Sequence, residues 1–413
     1  MRASCDARYV TRMAQHGQSG RIVIDIEPEL KRQLYSTLAR SGSTLKEWFI
    51  KLAEDYCAGK VKPVPIANVS NPSRGETAPV ASKEEYQTTK VALDGGKRVG
   101  DANENAKAAE THAVVSMFSG CGGMDLGFRG GFEIFGRRYR TLPFKTAWAN
   151  DLNPEACKTY GRNLGDEIHH GDVWELLDSM PQKADVIIGG FPCQDISVNG
   201  KRAGVNGART GLYKAMVEAI DKIKPKVFVA ENVKALLRQE SWLKQVLGDF
   251  RGLGYEVHYQ LYRAADYGVP QTRERVLFVG TASGLRPFTP PPPERNASTW
   301  MTALEAIGDL EHLGESARIN HIWSKANISP EQGNRRLVAS RPGYTIRAEC
   351  HGNIQFHYRL PRRISMREAA RLQSFPDKFL FVSGLREIER QVGNAVPPVL
   401  AWHVANAVLK CLG

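Results

Sequence analysis

Cys193 stands where chemistry, more than packing, would place a thiol. It lies in Gly189-Gly190-Phe191-Pro192-Cys193-Gln194-Asp195-Ile196-Ser197, directly after the apolar run Ala184 to Ile188. Glycine and proline shape a loop that a strand feeds, and such loops carry nucleophiles. A cysteine taken alone is more often a small buried hydrophobe. A second apolar run, Val227 to Ala230, ends in Glu231-Asn232-Val233. A carboxyl there is ordinarily a cap or a surface charge. Paired with a thiol at a neighbouring strand end it reads as a general acid, a role that needs a carboxyl pKa raised by its site.

Three further features describe a place for a nucleoside. Phe118-Ser119-Gly120-Cys121-Gly122-Gly123-Met124-Asp125 follows the run Ala113 to Phe118 and leads into a helix pattern. Its glycines let a ligand approach the backbone, although a tight strand-to-helix turn with no ligand has the same composition. Asp151 closes the run from Phe144 and suits a ribose hydroxyl pair, while Asp172, after Gly171, can accept from an adenine amino group. Either carboxylate alone would be a helix cap or a solvated charge. No lysine of the Walker type accompanies them, so S-adenosylmethionine, which has no phosphate, fits better than ATP. Asp125 also occupies the place of the third glycine in the dinucleotide fingerprint, which argues against a nicotinamide oxidoreductase.

The elements that must hold these residues are legible in outline. The runs Ala113 to Phe118, Phe144 to Ala149, Ala184 to Ile188, Val227 to Ala230 and Val276 to Val279 are short, rich in Val, Ile and Phe, and separated by helix-length stretches. That pattern predicts buried parallel strands with crossover helices: an α/β, doubly wound, Rossmann-like domain, whose ligands bind beyond the carboxyl ends of the strands. A chain of 413 residues with 42% apolar residues can bury a large core, and its formal charge of +12 favours a polyanionic partner. No apolar run reaches the roughly 20 residues of a membrane helix, and no secretory pattern opens the chain, so a cytoplasmic protein is expected. The seven cysteines are scattered with no Cys-x-x-Cys pair, which indicates neither a disulfide framework nor structural zinc.

Taken together, these segments resemble the cytosine-5 DNA methyltransferase family over about 115 to 279 and 360 to 400. Phe118 to Gly123 looks like the family's cofactor motif, Pro192-Cys193-Gln194 like its catalytic motif, and Glu231-Asn232-Val233 like its Glu-Asn-Val. Gln271-Thr272-Arg273-Glu274-Arg275, Arg371-Leu372-Gln373-Ser374-Phe375-Pro376 and Gly393-Asn394-Ala395-Val396-Pro397-Pro398 are similar to the remaining three, in the family's order. The resemblance implies methyl transfer from S-adenosylmethionine to carbon 5 of a cytosine flipped out of double-stranded DNA, through a covalent Cys193 adduct. Cytosine carbon 5 is a poor nucleophile until a thiolate adds to carbon 6, and Glu231 at ring nitrogen 3 makes that addition feasible. Arg273 and Arg275 are implied to organise the catalytic pocket. Phe118, Ser119, Gly120, Gly122, Asp151, Leu152, Asp172, Leu212, Asn394 and Val396 are implied to form the cofactor site. Two departures stand out: Asp151 replaces the family's more usual Glu, and Ala208-Arg209-Thr210-Gly211 separates an arginine and glycine that the family more often has adjacent.

Five segments are expected: a small front module (1–58), a linker poor in large apolar residues (59–112), the catalytic domain (113–285), a smaller target-recognition region (286–360) and a C-terminal part completing the catalytic domain (361–413). In the recognition region Lys325, Arg335, Arg336, Arg341, Arg347 and His351 are candidates for bases or phosphates, each more readily a phosphate contact or a solvated charge. Cys350, His351 and His357 lack a complete zinc spacing, so no metal is expected. In the front module Ile22, Ile24 and Ile26 alternate as in a strand, Pro28 and Glu29 open a helix to about Arg40, and Thr44 with Glu47 caps another to about Cys57. This looks like a ribbon-helix-helix module, whose strand pairs with a second copy, giving a homodimer through residues 21–57; a small accessory domain that reads no DNA sequence fits equally. Val23 and Asp25 would face the groove where basic or amide residues are usual. A cognate restriction endonuclease is a further expected partner, without direct contact. A transfer-RNA cytosine-5 methyltransferase and a DNA-binding regulator are the alternatives.

Overall fold

The computed structural model describes residues 111–191, 212–325, 335–348 and 355–413, together with Leu34, Thr37, Leu38, Trp48, Lys51 and Asp55. Those six positions are helical and fall within the two helices read from the front of the chain. The strand Ile22 to Ile26, Cys193 with its loop, Cys350 and His351 lie outside the described residues.

Val-, Ile- and Phe-rich runs form the strands β1 (His112–Met117), β4 (Phe144–Asp151), β5 (Ile168–His170), β6 (Val186–Gly190) and β7 (Val227–Val233), with β8 (Tyr255–Arg263) and β9 (Glu274–Ala282) completing the sheet. A two-stranded hairpin, β2 (Phe132–Ile134) and β3 (Arg137–Tyr139), stands apart from it. The helices between the strands are α1 (Gly123–Arg129), α2 (Pro154–Asn163), α3 (Val173–Leu176), α4 (Leu212–Ile223) and α5 (Glu240–Gly252). Beyond the sheet follow α6 (Ala303–Ile307), α7 (Met366–Leu372), α8 (Leu385–Asn394) and α9 (Pro398–Leu412).

The sheet order is β5-β4-β1-β6-β7-β9-β8. The first five strands are parallel, whereas β9 runs antiparallel to both β7 and β8. The sequence pattern predicts Val276 to Val279 as one more parallel strand, and the structure corrects this. Its neighbour β8 is joined to it by residues 264–273 without a crossover helix, so the two pair antiparallel and the crossover that a parallel partner would need is absent. His112, read as the end of the linker, is the first residue of β1.

Side-chain alternation sends neighbours to opposite faces and builds two cores. Val114, Ile188, Val229 and Val279 join one, with α9 and α1. Val115, Ile187, Phe228 and Phe278 join the other, covered by α4 and α5. The first core also takes Phe288, Ala303, Ile307, Leu337 and Ile346, so the described part of the interval 286–360 packs with the C-terminal helices. The stretch Leu385–Leu412 is long and apolar enough to cross a membrane, but 72% of its apolar window is buried in this core.

Chain order runs outward from β1 to β4 and β5, then returns to β6 and continues to β7. The topological switch point therefore lies between β1 and β6, where loops diverge and leave a crevice at the carboxyl ends. Met117 pairs with Gly189 across that point, which puts the loop after β1 level with the loop after β6.

Candidate active site

Hydrogen bonds between the loops after β1, β4 and β5 sew the first half of the crevice together. Phe118 sits in the left-handed region (φ 53°), a conformation that non-glycine residues rarely hold without support. Ser119 N–H donates to the Asn150 carbonyl (2.8 Å) and Gly120 N–H to Asp151 Oδ2 (2.8 Å). Gly122 (φ 89°) then caps α1, a backbone turn that favours glycine. Asn153 N–H donates to the other oxygen of Asp151 (2.8 Å), and the Asn150 amide reaches the Gly171 carbonyl (2.9 Å). Burial pushes the Asp151 carboxyl up, against the lowering by those two backbone donors. Asp172 Oδ1 accepts from Trp174 N–H (3.0 Å), capping α3. Leu152, between these carboxylates, leaves 68% of its surface exposed.

These residues suit S-adenosylmethionine. Two carboxylates and an exposed apolar side chain border a strand-end loop, Phe118 to Asp125, that contains no Lys or Arg to meet a phosphate. Of the more remote candidates, Leu212 opens α4 and is partly buried against the second core. Asn394 is exposed at the end of α8. The Val396 side chain instead faces the first core beside Met124 and Leu400, and its carbonyl lies against Gly123.

On the other side of the switch point, Gly190 pairs with Glu231 in the β6–β7 register. A Cβ on Gly190 would lie 3.0 Å from Glu231 Oε2, so the glycine leaves room for the carboxylate. Glu231 and Arg275 form an ion pair, Oε1 to Nε 2.7 Å, with both side chains largely buried. Asn232, the next residue, turns its amide to the Phe191 carbonyl (3.1 Å) and holds the start of the cysteine loop. From Gly190, Cys193 is three residues on, a reach of about 10 Å at full extension.

The two arginines of Gln271 to Arg275 separate. Arg275 meets Glu231; Arg273, fully buried, donates to the carbonyls of Ile346 (2.9 Å) and Gly393 (2.9 Å). Burial, reinforced by the charge of Arg275, holds the Arg273 guanidinium well below its usual pKa. Gln271 donates to Gln373 Oε1 (2.6 Å) and accepts from Ile346 N–H (3.0 Å), while Gln373 donates to the Ala395 carbonyl (2.5 Å). Thus three motifs far apart in sequence and the segment Gly343 to Ala348 form one hydrogen-bonded body. Sequence reasoning missed Asn232, Gln271 and Gln373 as positioning groups. Their only signal was an amide inside each motif, and amide partners are set by tertiary placement.

The basic candidates also sort. Lys325 pairs with Glu315 (2.5 Å), and Arg336 donates to the His357 carbonyl (2.6 Å). Arg335, Arg341 and Arg347 are exposed. His357 is buried between Glu311 and Glu368, and burial lowers its pKa to about 4; among the described residues no cluster is arranged to hold a metal.

A doubly wound sheet with a glycine-rich loop after β1 on one side of its switch point, and the end of β6 beside the Glu231 carboxylate on the other, fits one class, the Rossmann-like methyltransferases. The C-5 cytosine-specific DNA methylase profile matches residues 112–333 and 316–410. Among curated relatives, the type II methyltransferase M.NgoFVII of Neisseria gonorrhoeae is 36% identical over 76% of this chain and 90% of its own length. M.BbvI of Brevibacillus brevis is 31% identical over 71% and 90%. Solved folds include a DNA modification methyltransferase encoded within an Escherichia coli prophage (TM-score 0.54, 22% identity, 73% of this chain and 99% of that one). The S. pombe Dnmt2 methyltransferase is similar too (TM-score 0.53, 15% identity, 73% and 99%). The chain belongs to the C-5 cytosine-specific DNA methylase family. It is a DNA cytosine-5 methyltransferase that uses S-adenosylmethionine as methyl donor.

Proposed function

We propose that this enzyme methylates one cytosine within a specific double-stranded sequence, as the modification half of a type II restriction-modification pair, with Cys193 as nucleophile and Glu231 at the base. The observation that carries the reading is the Gly190–Glu231 register, which sets the start of the Pro192-Cys193 loop beside a carboxylate held by Arg275. When bound, S-adenosylmethionine supplies an electrophilic methyl group on sulfonium. The protein's role is to bring a flipped cytosine between Cys193 and Glu231. The Cys193 thiolate adds to ring carbon 6, a new S–C bond forms, and the electron pair of the 5,6 double bond becomes available at carbon 5. Glu231, as the neutral acid, donates its proton to ring nitrogen 3, where negative charge develops, and Arg275 positions the carboxylate this leaves. Phe118, Ser119, Gly120, Gly122, Asp151, Leu152, Asp172, Leu212, Asn394 and Val396 form the cofactor side, Val396 and Gly122 through the backbone.

Residues 286–360 read the DNA sequence, 361–413 complete the catalytic domain, and 1–58 form a ribbon-helix-helix module on the linker 59–112. The names of the relatives support a cognate endonuclease. A bacterial enzyme of this kind works in the cytoplasm on the nucleoid.

The test is covalent trapping. DNA carrying 5-fluorocytosine at the target, incubated with enzyme and S-adenosylmethionine, gives a species that survives denaturing electrophoresis, because fluorine cannot leave as a proton does. Cys193→Ala gives none. A trapped band from Cys193→Ala moves the nucleophile elsewhere.

A further inference from the structure

The loop Phe118 to Gly120 is tied from beneath to a buried carboxyl that the methyl transfer does not use. Asp125, in the first turn of α1, is 2% exposed. Its Oδ2 accepts from Ser116 Oγ on β1 (3.0 Å), and its Oδ1 from the Tyr160 hydroxyl on α2 (3.0 Å) and from Thr146 Oγ1 on β4 (3.5 Å). Ser119 Oγ in turn donates to Ser116 Oγ (3.0 Å) and accepts from Asn150 N–H (3.2 Å). One chain of hydrogen bonds therefore runs from the loop, through Ser119 and Ser116, to Asp125.

The direction of that chain depends on charge. An ionised carboxylate accepts from all three hydroxyls, and every donor then points the same way, toward Asp125. A neutral carboxyl must place its proton among hydroxyls that already point at it. One bond is then reversed, and a reversal at Ser116 passes on to Ser119. The groups packed around the carboxyl do not hold its charge. Ser116, Thr146 and Tyr160 are neutral, Glu167 lies 3.4 Å behind the Tyr160 hydroxyl, Cys121 and Asp151 are on the loop side, and α9 meets α1 with Leu400, Ala401 and Val404. None of these is a cation, and burial raises the carboxyl to a pKa of about 6. S-adenosylmethionine brings a positive sulfonium to the loop, which favours the ionised form.

We propose that Asp125, as its carboxylate, is a positioning residue for S-adenosylmethionine, fixing the loop Phe118 to Gly120 through Ser116 and Ser119. The proposal rests on the reading of that loop as the cofactor site. Binding draws on the ionised form, so affinity is full above the pKa of Asp125 and falls as pH drops through it.

The test is calorimetric titration of the full chain with S-adenosylmethionine at several pH values. Wild type binds about tenfold more weakly one pH unit below the pKa of Asp125 than one unit above it, the ratio of ionised fractions. Asp125→Asn binds at the higher pH as weakly as wild type does at the lower, and loses most of the slope; what slope is left belongs to Asp151 and to His170, whose charge acts on it. Turnover at saturating cofactor stays within about twofold, so the loss is in KM and not in kcat. Unfolding of Asp125→Asn is no easier than that of wild type, whereas a residue that served the fold alone would lose stability together with affinity. Ser116→Ala keeps the carboxyl but cuts the chain, and weakens binding at the higher pH to a similar degree. Asp125→Asn with the wild-type pH profile, or Ser116→Ala with wild-type affinity, overturns the proposal. Asp151→Asn, at the other anchor of the loop, loses affinity at every pH; normal binding by that variant overturns the cofactor-site reading first, and the Asp125 role with it.

Discussion

Glu231 and Arg275 face each other at 2.7 Å in nearly dry surroundings, so each is the other's main compensation for lost water. Replacing the acid by its amide keeps the shape and removes the charge. Glu231→Gln is expected to bind S-adenosylmethionine almost normally while losing on the order of 100-fold or more in methyl transfer. Cofactor titration alongside single-turnover rates checks this, and equal losses in both would place Glu231 on the cofactor side. Asp125 presents a different kind of buried carboxyl. It accepts from Ser116 Oγ and from the Tyr160 hydroxyl, both at 3.0 Å, and burial raises its pKa from 3.8 to about 6, outweighing those two bonds. A folded pKa above the unfolded one means that stability is present below pH 3.8 and lost as pH rises through about 6. Asp125→Asn cannot ionise, so its stability relative to wild type should rise by about 3 kcal/mol between these limits and stay flat above them. Denaturant unfolding at several pH values measures the slope; a pH-independent difference would mean that the carboxyl does not titrate in this range.

At the scale of elements, what positions the site is close backbone contact more than side-chain chemistry. Gly393 lies in the last turn of α8, which carries the last motif, and a Cβ there would lie 2.4 Å from Ala348 N and 2.4 Å from the Arg347 carbonyl carbon. Both obstacles are backbone, which is itself held through Ile346 by Arg273. Gly393→Ala must therefore push α8 away from the segment Gly343 to Ala348 or distort both. It should cost about 1–3 kcal/mol of unfolding free energy and weaken DNA binding with it, because the same displacement moves Arg347. A variant with wild-type unfolding would show that the contact can open freely. Gly190 is a milder case, since the atom its Cβ would meet belongs to a carboxylate that can shift.

For the whole molecule, the expectation concerns the front of the chain. The linker 59–112 carries few large apolar residues, and residues 103–413 cluster as a unit of their own. A connection poor in large apolar residues has little with which to couple two units, so removing residues 1–60 should leave methylation and its target sequence intact. If the front strand pairs with its copy, the truncation should sediment as a monomer where the full chain sediments as a dimer. A truncated enzyme without methylation would make the front of the chain a component of the catalytic machinery.

Some of this was determined by the sequence alone. The strands β1, β4, β6 and β7 were legible because parallel strands buried on both faces must be nearly continuous runs of Val, Ile and Phe. The glycine loop after β1, the carboxyl at the end of β7 and the family motifs in their order were legible because a reaction needs particular residue types just beyond those strands. Composition and period could not say that β9 lies antiparallel to β7, since a strand in the interior of a sheet has the same pattern in either direction. Nor could they divide Arg273 from Arg275, two like residues two positions apart. Which one holds carbonyls and which one holds Glu231 depends on where Ile346, Gly393 and β7 lie in space. The partners of Gln271 and Arg273 come from segments 73 to 120 residues away, and only the packed fold brings those segments within hydrogen-bond reach of one another.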